Sequence, residues 1–185
     1  GQIIRSVLAI PAITRQYGIR SGGAFYSQSG WVVYDEEAVG HAADSPPVPR
    51  TVNMNQLGAV LNGEIDGAPI ESLFVFGANP VTSTPNAPRI ISGLLREDLF
   101  TVVHEQFMTD TASYADIVLP ATSQLEQVDL HKAYGHHHLQ YNAQAIEPLG
   151  ECQSNWDVMR ALAERLGYDE PWLHQEPDEI IDEVL

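Results

Sequence analysis

The chain has 185 residues, the length of one domain, and sets 9 basic side chains against 25 acidic ones for a formal net charge of −16. Hydrophobic residues make up 44% of it and charged ones 18%, which is enough apolar material for a core and excludes a disordered polyanion. Nucleic acid and acidic membrane surfaces are bound by neutralising phosphates with Lys and Arg, so a chain whose only lysine is Lys132 is suited to neither.

In chain order, the opening Gly1-Gln2-Ile3-Ile4-Arg5 has no basic leader ahead of an apolar core and reads as a chain entered within a helix. No targeting signal is recoverable from it; the compartment is not legible, with the cytoplasm favoured over the periplasm. Ile3, Ile4, Val7, Leu8 and Ala12 recur with helical period, and Pro11 is expected to kink or end that helix. Residues 17–50 are rich in Gly, Ser and Pro and read as a long irregular excursion. A helix is expected from Asn53 to Leu61, with turns at Asn62-Gly63 and Asp66-Gly67.

From Leu73 the pattern becomes strands alternating with helices. Leu73 to Phe76, Leu99 to Val103 and Ile117 to Leu119 are short continuous apolar runs, each read as a strand buried on both faces. A helix over about 87–96 and a shorter one from Asp110 separate them, and three such units predict an α/β fold with a doubly wound, mainly parallel sheet and flanking helices. Trp156 to Leu166 is expected to be amphipathic, with Trp156, Met159, Leu162, Ala163 and Leu166 inward, Ser154 or Asn155 as N-cap and Gly167 as stop. Residues 151–185 hold ten acidic side chains against Arg160 and Arg165, so 169–185 is read as an acidic terminal helix or tail in which Ile180, Ile181 and Val184 touch the body. Recruitment of a basic partner by that tail is the other reading. No stretch approaches the roughly 18 to 20 apolar residues that a bilayer span needs.

In a parallel sheet ligands lie beyond the carboxyl ends of the strands, where helix N-termini and loop amides converge. That rule selects Gly77 to Thr84, His104 to Thr109, and Pro120 to Ser123. The first segment is neither a G-x-G-x-x-G fingerprint nor a P-loop, which disfavours a conventional nicotinamide or ATP site. It is equally a tight turn at Asn79-Pro80 or a loop for a phosphate or polar heterocycle, with an arginine such as Arg89 in reach of a pyrophosphate. Glu105 directly follows a strand and is placed either in plain solvent or to accept from a guanine's N1–H and amino group. His131, His136, His137 and His138 read as a polar rim or a pocket lining, with a zinc site as the minor alternative. Cys152, the only cysteine, excludes an internal disulfide, a four-cysteine iron–sulfur site and a Cys-x-x-Cys pair, and no base is spaced to make it a nucleophile.

Three runs carry a resemblance: Phe76-Gly77-Ala78-Asn79-Pro80, Val102 to Ala112, and Ala115-Asp116-Ile117-Val118-Leu119-Pro120-Ala121. Glu126, Tyr134-Gly135, Pro148 to Glu151, Asn155-Trp156 and Leu162-Ala163 follow in order. Over about residues 70–167 the chain resembles the molybdopterin oxidoreductases, the dimethyl-sulfoxide-reductase family of formate dehydrogenases, nitrate reductases and sulfoxide reductases. The resemblance implies a Rossmann-like α/β domain of a larger catalytic subunit, residues 1–168, that helps hold bis(molybdopterin guanine dinucleotide) with molybdenum or tungsten. By position it implies cofactor contacts at Gly77 and Asn79, at His104 and Glu105 (the family usually has Asp at the latter), and at Thr109, with Thr111 in the same loop. Gln127 falls where some relatives carry a cofactor-contacting lysine, and Asn155 where many carry an aspartate near the guanine. The metal ligand and any iron–sulfur cluster are implied to lie outside these residues. The partners implied are the remaining domains of the same polypeptide and electron-transfer subunits, and the isolated chain is expected to be inactive. A free-standing nucleotide- or phosphometabolite-binding module is the competing expectation.

Overall fold

A computed structural model of the chain describes residues 2–24, 40, 50–133 and 136–185. The expected turn at Tyr134-Gly135 and most of the 17–50 excursion lie outside the described residues. The chain divides into two compact units, one of residues 1–33 with 131–140 and the other of residues 34–130 with 141–185.

In the first unit, helix α1 spans Gln2–Ile13. Pro11 stands inside its final turn instead of ending it, since a missing N–H there costs a single backbone bond and the turn still closes through Gln16 N–H on the Pro11 carbonyl at 2.7 Å. Helix α1 buries none of its residues, and Ile3, Val7, Ile10 and Ile13 are all more than half exposed.

The second unit holds the parallel sheet. After a 3-10 turn at Met54–Gln56 come α2 (Leu57–Leu61), β1 (Ser72–Phe76), α3 (Pro80–Ser83), α4 (Ala87–Leu94), β2 (Phe100–Glu105) and β3 (Ile117–Pro120). The strands lie in chain order and pair in parallel, with Phe76 opposite His104 and Glu105 opposite Pro120. This is the α/β fold expected from the alternating runs. The β2–β3 crossover carries only a 3-10 turn, Ala112–Tyr114. A bridge from Ala121 to Gln153 extends the sheet past β3. Strands β4 (Asp129–Lys132) and β5 (Leu139–Asn142) form a separate two-stranded sheet.

The core lies on one face of the sheet. Leu61, Val81, Ile90, Leu94 and Leu99 form one buried cluster, and Val75, Val103 and Ala112 a second, with Leu73 touching both. The opposite face is covered only in part: His104 is fully buried there, whereas Phe76, Phe100 and Ile117 remain about half exposed. A continuous apolar run states what a strand can bury, whereas the cover has to be supplied by other elements.

Helix α5 (Asn155–Leu166) starts as predicted, with Ser154 Oγ accepting from Asp157 N–H, and stops at Gly167, whose φ of +86° only glycine adopts cheaply. Gly167 N–H and Tyr168 N–H return to the Ala163 and Glu164 carbonyls, the Schellman closure. Its apolar stripe is less inward than predicted, because Leu162 and Leu166 are exposed and no residue of α5 is fully buried. After a 3-10 turn at Pro171–His174, α6 (Pro177–Val184) opens on a capping box between Glu176 and Glu179. Trp156 Nε1–H donates to the Gln175 carbonyl and Tyr141 OH to Asp178, which ties the acidic tail down. Ile180, Ile181 and Val184 are half-buried on its inner side.

Candidate functional site

All seven residues singled out lie in the second unit, at the carboxyl edge of the sheet, and they form two groups. The first surrounds the ends of β1 and β2. Gly77 leaves β1 with φ +56°, and the position its Cβ would take has nothing within 4 Å, so the backbone stands open to a close-approaching group. Two residues on, Asn79 precedes α3 and uses its Oδ1 to accept from Thr111 N–H at 3.2 Å and Thr111 Oγ1–H at 2.7 Å. Thr111 is fully buried, and its hydroxyl accepts in turn from Val81 N–H. Asn79 is therefore a strut that fixes the post-β1 loop on the post-β2 loop, and only its Nδ2 is left without a partner among the described residues. Thr109 Oγ1 accepts from Ala112 N–H, capping the 3-10 turn.

Glu105 is half-buried at the end of β2. Its Oε1 accepts from Gln106 N–H at 2.7 Å, and among the described residues Oε2 has no partner. His104, expected to contact the cofactor, is instead fully buried, with Nε2 on the Gln153 carbonyl at 3.1 Å. A rim position at a strand end is covered here because the chain returns at Gln153 to extend the sheet.

The second group lines a cavity of about 1360 Å³ beside α5 and α6. Gln127 and Asn155 both face it. Gln127 is held at both ends of its carboxamide, accepting from Thr122 Oγ1–H at 2.6 Å and donating to Asp129 at 3.3 Å, while Asn155 is exposed at the first turn of α5. Gln106, whose Nε2–H donates to the Thr122 carbonyl, and Gln153, which receives His104, join the two groups. Neither linking contact carried a sequence signal, since side chains meeting carbonyls 16 and 49 residues away leave no local pattern.

Glu126 organises the loop after β3. It is 9% exposed and accepts from Ser123 N–H, Ser123 Oγ–H and Leu149 N–H at 2.7 to 2.8 Å. The Ser123 backbone and hydroxyl donors, and then that of Leu149, favour the ionised form and hold its pKa below the usual carboxylate value. Because the folded pKa is depressed, the stabilisation is present above the unfolded value and is lost as pH falls through the folded one. Melting temperatures measured down an acid series should therefore fall more steeply for the parent chain than for Glu126→Gln, and parallel acid limbs would exclude this clamp.

Other sequence candidates are accounted for differently. Arg89 pairs with Glu64 instead of reaching toward the sheet edge. The His136 and His138 rings stand 5.2 Å apart, but no group of three or more potential ligands for a metal ion occurs among the described residues. Cys152 is half-buried on the cavity wall. Among the described residues no helix is long and apolar enough to cross a membrane.

The sequence pattern of the molybdopterin oxidoreductase family matches residues 2–165. The chain belongs to that family. It is 45% identical over its whole length to the Bacillus subtilis protein named "Probable oxidoreductase YoaE", of which it spans 27%. A Staphylococcus haemolyticus protein named "Putative formate dehydrogenase" is 33% identical over 75% of the chain, which spans 13% of it. Acetylene hydratase from Pelobacter acetylenicus has the same fold over 72% of the chain and 18% of its own length, at 27% identity and a TM-score of 0.62. The chain thus corresponds to about a quarter or less of the relatives it matches.

Proposed function

We propose that these 185 residues are the part of a molybdenum- or tungsten-dependent oxidoreductase that holds one end of a bis(molybdopterin guanine dinucleotide) along the carboxyl edge of the sheet. The observation that carries the reading is the open approach at Gly77 set beside the half-engaged Glu105 carboxylate on the adjacent strand. The donors fit a dinucleotide bound by a chain of net charge −16: backbone amides and neutral side chains such as Asn79 Nδ2 face its phosphates and pterin, and Glu105 takes the N–H groups of its guanine. When bound, the cofactor supplies the redox chemistry; this chain's residues orient it and shape the field around it. With Cys152 as the only cysteine, any four-cysteine iron–sulfur cluster is held by other parts of the polypeptide, and the reading assigns the metal ligand to those parts too. The remaining domains and electron-transfer subunits are the partners this reading requires, and the isolated chain turns nothing over.

The test is elemental. The full-length protein, purified natively, should contain molybdenum or tungsten together with guanine nucleotide released on acid hydrolysis. Protein with neither would end the reading.

A further inference from the structure

We infer that His104 is a positioning residue that holds the Asn155 end of α5, and with it the cavity group, in register with the strand-end group. The inference rests on the cofactor reading above. His104 is 0% exposed and so has no surface to offer a ligand. Its Nε2 faces the Gln153 carbonyl, which can only accept, so Nε2 is the donor. Nδ1 is buried without a partner. A buried polar atom left unsatisfied costs free energy, so an apolar side chain of similar size would serve the core at least as well. What the imidazole contributes beyond packing is the bond to Gln153.

That bond sits at a junction. The Gln153 carbonyl also accepts from Thr122 N–H, and Gln153 N–H donates to the Pro120 carbonyl, both at 3.1 Å. The next residue, Ser154, is the N-cap of α5, and the one after it is Asn155. His104 therefore ties β2, directly before Glu105, to the residue immediately before the N-cap of α5. Glu105 and Asn155 belong to different groups of the site, and a ligand spanning both needs their separation fixed.

The experiment compares His104→Leu and His104→Gln with the parent in the full-length protein. Metal and guanine nucleotide per polypeptide are read after prolonged dialysis, alongside the melting temperature of the metal-free protein. His104→Leu should retain the cofactor about tenfold less well, the effect typical of losing an orienting partner, with a melting temperature within about 3 °C of the parent. His104→Gln can still donate to the Gln153 carbonyl and should restore most of the retention. Full retention in His104→Leu overturns the inference. Equal losses of stability and retention that His104→Gln does not repair overturn it as well, because they mark a purely structural role. If Glu105→Ala also keeps its cofactor, the underlying reading fails; if Glu105→Ala loses it while His104→Leu does not, only the role of His104 fails.

Discussion

Replacing Glu105 by alanine in the full-length protein should lower cofactor retention about thirtyfold, while replacing Cys152 by alanine should leave it unchanged. Glu105 lies half-buried at the end of β2 with one oxygen on Gln106 N–H and, among the described residues, the other free. On the proposed reading, two N–H groups of a guanine would form charge-assisted bonds to that carboxylate, and losing them would cost about 2 kcal/mol net. That figure corresponds to the thirtyfold change. Cys152 serves as the control because its side chain is a free thiol that takes part in none of the hydrogen-bonded struts. Metal and guanine content per polypeptide decides the matter, and equal content in the two variants would remove Glu105 from the site.

Ile90→Ala should lower the melting temperature of the chain by about 6 to 12 °C. Ile90 is fully buried on α4, in the cluster with Leu61, Val81, Leu94 and Leu99. Truncating it leaves a cavity that its neighbours can fill only in part, at a cost of about 3 kcal/mol. Over a chain of this length that corresponds to the stated shift. The neighbouring Gly93 fails in the other direction, since an added Cβ would stand 2.5 Å from the Leu61 Cβ and force α2 and α4 apart. Gly93→Ala should destabilise too, despite alanine's better helix propensity. A thermal unfolding series on the three proteins checks both, and an Ile90→Ala shift under 3 °C would show that the cluster does not carry the fold.

Much of this was legible in residue order because it is local. Apolar runs ended by Gly77 and Pro120 marked strands, and Ser154 and Gly167 marked the two ends of α5, each by a preference that acts within a turn or two of the chain. The ordered runs from Phe76 to Ala121 were specific enough to indicate the family. Side-chain fates were less legible. Asn79 read equally well as part of a tight turn or of a ligand loop and His104 was marked only as a cofactor contact, while their partners, Thr111 and the Gln153 carbonyl, lie 32 and 49 residues away. The uneven burial of the sheet's second face was likewise hidden, because hydrophobicity describes a strand and not what covers it.

By itself, then, the sequence determined the α/β class, the strand ends as the place where the fold would put a site, the lack of cysteines for a four-cysteine cluster, and a charge that leaves amides, hydroxyls and one carboxylate to hold the proposed dinucleotide. Only the tertiary structure decided which polar groups remain free to do so. Hydrogen bonds between distant residues consume Asn79 Oδ1, both ends of Gln127 and the Nε2 of His104, and leave Gly77, Glu105 and Asn155 open. A polar side chain becomes a ligand or a strut according to what folding brings against it, and that is set by contacts across the sheet edge, not by neighbours along the chain.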